Sequence, residues 1–181
     1  LAAMIVTTRL LGPEGYGRLS LFFLLLAILS QALVSWPNLG LVRFGREELA
    51  RTGGVGETFA AASLLFLGNL AAAGILVFAF RKPLSDYLGI GPGPHALLLA
   101  YVALNEAVFF CRAVFQTAGR FRLYAAATFG VRFLNLLFIL LAFVLLARPA
   151  TARGIIGAHL ASLCVVATAC ALAAAFLPEM S

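Results

Sequence analysis

Long apolar segments recur along the sequence, and most of them are long enough to cross a lipid bilayer as a helix. A helix rises about 1.5 Å per residue, so about 20 apolar residues span a hydrocarbon core about 30 Å thick. Two such arms form a hairpin over residues 96–147, joined by the basic turn GRFR. Because the apolar segments recur throughout the chain, they are not explained by a secretory signal that precedes a soluble domain.

The composition supports a membrane location. Of the 181 residues, 63% are hydrophobic and 11% are charged, and the mean hydropathy is +1.04. Soluble domains have about 25% charged residues. The sequence therefore predicts an all-α, multi-pass integral membrane protein. We expect residues 1–181 to form a single transmembrane helical bundle with no separate soluble domain.

Six helices are predicted within this bundle. They cover residues 1–11, 19–42, 58–80, 96–117, 124–147 and 154–177. The first is too short to span a bilayer, so we expect it to be the last half of a helix and the chain to be a piece of a longer protein. Pro37 predicts a kink about one turn earlier in the second helix. Stretches that are charged or rich in glycine and proline, at 12–18, 43–57 and 81–94, predict loops, and the second of them has room for a short amphipathic piece around Glu47 to Arg51.

The charges and the cysteines exclude several functional classes. The net charge is +6, from 13 Lys and Arg against 7 Asp and Glu, and the cations are scattered, unlike a nucleic-acid-binding surface. The three cysteines lie in apolar segments without a CxxC pattern, and the two histidines have no ligand spacing. We therefore predict no metal and no cofactor. Paired carboxylates, a Ser/His/Asp arrangement and a phosphate-binding glycine loop are all missing from the sequence, so we do not expect an enzyme.

Polar residues recur at helical spacing in three of the predicted helices. The stripes are Gln31, Ser35 and Asn38 in the second helix, Tyr101, Asn105, Arg112 and Gln116 in the fourth, and Tyr124, Thr128, Arg132 and Asn135 in the fifth. A single stripe is usually explained by hydrogen bonds between helices, worth about 0.6 kcal/mol each. An ionisable group inside a membrane helix costs about 2.5 to 3.5 kcal/mol on insertion scales. Three stripes, two of them with an arginine, therefore favour a hydrated central cavity.

The stripes and the arginine near the start of the chain suggest which residues line this cavity. The candidate residues are Arg9, Gln31, Asn38, Asn105, Arg112, Arg132 and Asn135. Arginine binds phosphate oxygens through two parallel hydrogen bonds and remains charged. The basic cavity therefore suits an anionic ligand such as a phosphate-linked lipid.

Glu106 lies about 100° from the stripe of the fourth helix, so we predict it to be the buried partner of a cation on a neighbouring helix. Arg132 is a candidate partner, because both residues lie at similar depth in an antiparallel hairpin. The pair would either fix the register of the two helices or open during transport, and the sequence leaves both readings open.

Three stretches carry a family resemblance. RLLGPEGYGRLSL (9–21), NLGLVRFGREELA (38–50) and QTAGRFRLYA (116–125) resemble the polysaccharide biosynthesis proteins, that is, the O-antigen (oligosaccharide) flippases of the multidrug/oligosaccharidyl-lipid/polysaccharide exporter superfamily. The resemblance implies a two-lobed transporter fold, of which this chain would be the N-terminal six-helix lobe with a truncated first helix. The C-terminal lobe of the same protein would then be its partner.

The resemblance also implies a function. Such a protein flips an undecaprenyl-pyrophosphate-linked oligosaccharide across the bacterial inner membrane by alternating access, for the export of O-antigen, lipopolysaccharide or other surface polysaccharide. Its partners would be this lipid-linked oligosaccharide and membrane lipids, with no nucleic acid. Loop arginines and the single lysine divide evenly between the two sides, so the charge does not set the orientation. The resemblance places LGPEGYG outside the cell and residues 43–57 and 118–123 in the cytoplasm.

Three alternative functions remain at this point. A multidrug exporter of the same superfamily would need acidic groups for organic cations, whereas this cavity is basic. A membrane-embedded polysaccharide polymerase or acyltransferase would call for a large loop or a catalytic His/Asp pair, which the sequence lacks. A purely structural bundle would use its intramembrane charges only to hold helices together.

Overall fold

The computed structural model describes residues 2–34, 36–89, 93–145 and 151–176, and these ranges are helical with short connections and no strands. Helix α1 (Ala2–Leu29) continues into the π-helical turn Ser30–Val34. Helix α6 likewise continues into the π-helical turn Leu140–Leu145. The seven α-helices are α1 (Ala2–Leu29), α2 (Trp36–Thr52), α3 (Gly56–Ala79), α4 (Arg81–Leu88), α5 (Pro94–Thr117), α6 (Phe121–Ile139) and α7 (Ala152–Ala175).

Five helical stretches in the described ranges are long and apolar enough to cross a membrane. They are Thr7–Ala32, Gly56–Ala79, Pro94–Thr117, Phe121–Ile139 and Ala152–Ala175. Large apolar side chains such as Leu64 and Phe129 point away from the protein and are at least 70% exposed. Hydrocarbon solvates such side chains, and a helix satisfies its own backbone hydrogen bonds there. The protein is therefore all-helical, with the character of a multi-pass membrane protein.

The predicted loop at 12–18 is wrong, because the chain is helical on both sides of Gly12. Only Gly12 leaves helical geometry, with φ 66° and ψ 178°, and this conformation is accessible almost only to glycine. Pro13 follows directly, in the first turn after the kink, where its missing N–H has no helical partner to lose. Glu14 and Arg18 lie four residues apart after the kink, and they form an ion pair of 2.6 Å that stabilises the helix.

The predicted loop at 43–57 is also shorter than expected, because α2 runs through the charged stretch as far as Thr52. Arg, Glu, Leu and Ala, which make up most of this stretch, are strong helix formers. Glu48 then joins α2 to α3: its carboxylate accepts the backbone N–H groups of Glu57 at 3.0 Å and Thr58 at 2.8 Å. Hydrogen bonding to the Thr58 side chain and backbone lowers the pKa of Glu48, so this helix cap remains charged at neutral pH.

Other helix ends differ from the prediction by a few residues. Within the stretch 81–94, residues Arg81–Leu88 form the short helix α4, which ends at Gly89 in the left-handed conformation. Residues 90–92 lie outside the described ranges.

The last helix starts at Ala152 rather than 154, because the Thr151 hydroxyl accepts the N–H of Gly154 at 3.0 Å. The end of the fifth predicted helix, at residues 146–147, lies outside the described ranges. In the second predicted helix, the π-helical turn Ser30–Val34 occupies the position where Pro37 predicts a kink.

Helix α5 lies at the centre of the bundle and packs against all six other helices. At its C-terminal end the contact with α2 is close: a Cβ atom added at the buried Gly45 would lie 2.7 Å from Thr117 Cγ2. Thr117 itself donates its hydroxyl to a backbone carbonyl, with Ala113 O at 2.9 Å and Leu41 O at 3.3 Å. The glycine therefore allows α2 to approach α5 near the candidate site described below.

Replacing Gly45 by alanine should separate α2 from α5. We expect Gly45→Ala to lower the free energy of unfolding by about 1–3 kcal/mol relative to Gly40→Ala, because the new methyl group overlaps Thr117. Gly40 is the matched control, since a Cβ there would meet no atom closer than Phe44 Cδ2 at 4.0 Å. Unfolding of the purified protein in mixed micelles measures both values, and equal stability of the two variants would contradict the close contact.

Candidate functional site

A cavity of about 340 Å³ opens between the end of α1, the start of α2, the last turns of α5 and the start of α6. Its polar lining comes from all three predicted stripes: Gln31, Asn38, Arg112, Gln116 and Tyr124. Its apolar lining consists of Trp36, Leu39, Val42, Phe109 and Ala113. We call this cavity the Arg112 pocket. Such a mixture of apolar walls and a few polar groups is typical of small-molecule sites.

The guanidinium group of Arg112 is held in place by two aromatic rings. Its Cζ atom lies 4.8 Å from the ring centroid of Phe109 and 4.8 Å from that of Tyr124. The Nη2 group also donates a hydrogen bond to the Tyr124 hydroxyl at 2.9 Å. Phe109 lies one helical turn before Arg112 on α5, and Tyr124 comes from α6. These contacts stabilise a cation and orient its plane before any ligand arrives.

Two polar atoms at the pocket have unused hydrogen-bonding capacity. Arg112 Nε is a donor and Asn38 Oδ1 is an acceptor, and both are buried without a hydrogen-bond partner among the described residues. A buried polar group without a partner costs about 1–3 kcal/mol, more if it is charged. A ligand that accepts a hydrogen bond from Arg112 and donates one to Asn38 would recover part of this cost.

The pocket lies near one end of the bundle rather than at its middle. Arg112 is five residues from Thr117, the last residue of α5, which corresponds to about 7.5 Å along the helix. The same end of the bundle contains Arg46, whose Nη2 donates to the Gln116 carbonyl at 3.2 Å, and the basic turn before α6. An arginine within about two turns of the end of a membrane helix can extend its side chain to the polar boundary of the bilayer.

The pocket includes three of the seven predicted cavity residues, Gln31, Asn38 and Arg112. The other four, Arg9, Asn105, Arg132 and Asn135, do not line it. Arg9 and Arg132 are exposed on α1 and α6, and Asn135 is buried within α6. The side chain of Asn105 donates a hydrogen bond to Glu106 Oε1 at 3.1 Å. The Arg112 pocket therefore brings together part of the predicted cavity lining and not all of it.

A second polar cluster lies between α1, α5 and α7. Tyr101, at the other end of the α5 stripe, forms a hydrogen bond with His159 Nδ1 at 3.1 Å. The ring of Phe23 packs against both side chains, with centroid distances of 5.7 Å to Tyr101 and 5.2 Å to His159. The charge of Arg132 lies within electrostatic range of this pair. Sequence spacing gave no signal for His159, because its partner lies 58 positions away.

Glu106 is fully buried in α5, as predicted for a charge partner inside the bundle. It lies 11 residues from the end of the helix, or about 16 Å, and is therefore deeper than Arg112. Its pairing with Arg132 stays a prediction. An ionised carboxyl group inside a membrane helix costs free energy unless polar groups surround it. Glu106 lies about two turns of α5 away from Arg112, so it belongs to a polar layer separate from the Arg112 pocket.

Sequence reasoning missed Trp36 and Phe109 as site residues. Phe109 has a local signal, since an aromatic residue three positions before an arginine on a helix lies next to it. Trp36 directly precedes Pro37, and it lies outside the polar stripes from which the site was predicted. Its side chain is 50% exposed and lines the pocket. The described residues contain no group of three or more His, Cys, Asp or Glu placed to hold a metal ion.

Comparisons of the chain with protein-family models, with curated proteins and with solved structures found no match. The chemistry of the site therefore rests on the residues themselves.

The contacts of Arg112 predict graded effects at Tyr124. We expect Tyr124→Phe to lower the free energy of unfolding by about 1–2 kcal/mol, because the guanidinium loses its hydrogen-bond acceptor. Tyr124→Leu should lower it by about 0.5–2 kcal/mol more, because the cation–π contact is also lost. Unfolding in mixed micelles measures both, with Tyr87→Phe, at a 67% exposed position on α4, as the control. A Tyr124→Phe variant as stable as Tyr87→Phe would rule out the hydrogen bond as a stabilising contact.

Proposed function

We propose that this chain is one lobe of a two-lobed membrane transporter that flips a lipid-linked oligosaccharide across the bacterial inner membrane by alternating access. The cargo would be linked to its polyprenyl carrier through a pyrophosphate, and the product would serve surface polysaccharide export. The observation that carries this proposal is the Arg112 pocket, which offers an oriented arginine within about 7.5 Å of one end of α5.

The charge of the pocket supports an anionic cargo. Among the described residues of its lining, Arg112 is the only ionisable cation or carboxylate, so the local charge is positive. Guanidinium groups suit phosphate because their N–H donors match its oxygens in geometry and their charge is not lost near neutral pH. An exporter of organic cations would need a negative group at this place. The pocket therefore favours the flippase over the multidrug exporter.

The position of the pocket supports a lipid-borne cargo. The pocket lies between the last turns of α5 and the start of α2, and Arg112 is about 7.5 Å from the C-terminal end of α5. A lipid tail could remain in the hydrocarbon while its pyrophosphate reached Arg112. In the proposed orientation this end faces the cytoplasm, where the cargo would be loaded.

Two breaks in helical geometry are candidate hinges for alternating access. Gly12 interrupts α1, and the π-helical turn Ser30–Val34 separates α1 from α2 beside the pocket. Bends at such sites concentrate backbone changes in a few residues, as transport between two conformations requires. The proposal assigns loading to the Arg112 pocket and movement to these breaks.

The proposal is tested by replacing Arg112 in the gene of the cells that make this protein. We expect Arg112→Gln to reduce the amount of surface polysaccharide at least about tenfold, because the site loses its only cation. Arg112→Lys should retain part of the activity, since it keeps the charge but not the planar donor set. Quantitation of surface polysaccharide by gel, with the protein level measured in the same membranes, gives the result.

Arg122→Gln is the matched control, because Arg122 is exposed at the start of α6 and does not line the pocket. It should leave the polysaccharide unchanged. Normal polysaccharide in Arg112→Gln cells with a normal protein level would overturn the role of the pocket. Normal polysaccharide after deletion of the whole gene would overturn the proposed function itself.

A further inference from the structure

The wall of the Arg112 pocket opposite to the arginine has its own chemistry. The start of α2 supplies Trp36, half exposed, and Asn38, whose Oδ1 atom is buried without a hydrogen-bond partner in the described part of the chain. Neither side chain adds a positive charge, and the unpartnered Asn38 Oδ1 atom is an acceptor that requires a donor, which an ionised phosphate does not supply. This wall therefore serves a different part of the ligand.

An exposed aromatic ring beside side-chain amides is suited to a sugar. The face of a pyranose ring presents C–H groups with partial positive charge, and these pack on the negative face of an aromatic ring such as indole. Its hydroxyl groups both donate and accept hydrogen bonds. Side-chain amides also do both, and the pocket contains three of them, at Gln31, Asn38 and Gln116.

The size of the cavity limits how much of the ligand it holds. At about 340 Å³ it lies near the lower end of the range for small-molecule sites. It has room for a phosphate group and the sugar ring attached to it, rather than for a chain of sugars. Specificity in the pocket should therefore depend on the sugar next to the phosphate.

We propose that Trp36 and Asn38 form a subsite for the first sugar of the ligand, next to the phosphate site at Arg112. The sugar ring stacks on the indole of Trp36, one of its hydroxyls donates to Asn38 Oδ1, and the adjoining phosphate accepts hydrogen bonds from Arg112. This inference rests on the proposed function, because it assigns the two halves of one headgroup to two walls of the same pocket.

The test compares two probes that differ only in the sugar. One is geranylgeranyl diphosphate with a methyl group on its terminal phosphate, and the other carries a single N-acetylglucosamine in place of that methyl group, so that both diphosphates have the same charge. Each is titrated into the full-length purified protein in detergent micelles, and the dissociation constant is measured by calorimetry. Trp36 is the single tryptophan among these 181 residues, so the difference in fluorescence between wild type and Trp36→Phe reports contact with its ring.

We expect the wild-type protein to bind the sugar-bearing lipid about tenfold more tightly than the sugar-free lipid, as one stacking contact and one hydrogen bond together would give. Trp36→Leu and Asn38→Leu should each reduce this preference, to about twofold or less for Trp36→Leu, while the affinity for the sugar-free lipid stays within about twofold. Trp36→Tyr keeps a ring and should retain most of the preference. Arg112→Gln should weaken the binding of both lipids.

Phe129→Leu is the control for loss of an exposed aromatic ring, because Phe129 is 70% exposed on α6 and does not line the pocket. It should keep the full preference. Equal affinity of the wild type for both lipids, with weaker binding of both by Arg112→Gln, would overturn the sugar subsite and leave the proposed function standing. An equal loss of affinity for both lipids in Trp36→Leu would also overturn it. No binding of either lipid to the wild type would overturn the proposed function as well.

Discussion

The bilayer offers no hydrogen-bond partners, and this constraint determines how the chain folds and where its polar groups lie. A backbone N–H or C=O left without a partner in hydrocarbon costs several kcal/mol, so the described chain is helical almost throughout. Two interruptions of this part of the chain, Gly12 in α1 and the π-helical turn Ser30–Val34 beside the pocket, keep the helical path with a local change of geometry. Polar side chains obey the same constraint, and each buried one needs a partner, water or a ligand.

Depth divides the polar side chains into two layers. Arg112, with Phe109 and Tyr124 around its guanidinium group, lies about 7.5 Å from the C-terminal end of α5. Glu106 lies about 16 Å from the same end and is fully buried. The Tyr101–His159 pair lies about 24 Å from this end and about 10 Å from the other end of α5, so it belongs to neither layer. The Arg112 pocket is therefore separated along α5 from both the Glu106 carboxyl group and the Tyr101–His159 pair.

Apolar length predicted the membrane helices well, because about 20 apolar residues have few alternatives to a spanning helix. Surface segments were predicted less well. The sequence predicts loops at 12–18 and 43–57, with a short amphipathic piece around Glu47 to Arg51, yet helix propensity and the Arg18–Glu14 pair keep residues 13–18 and 43–52 helical. The residues of the α5 stripe follow helical spacing, but Tyr101 and Arg112 are about 16 Å apart along the helix. They therefore meet different neighbours, and only the folded chain shows which residues share a pocket.

The central claim is that Arg112 binds the phosphate of a lipid headgroup. The most direct measurement is an experimental structure of the full-length protein in a lipid nanodisc with a bound polyprenyl diphosphate. The account predicts that phosphate oxygens lie about 3 Å from the guanidinium nitrogens of Arg112, between α2 and α5. A diphosphate bound instead at Arg132 on the exposed side of α6, with the Arg112 pocket empty, would contradict it.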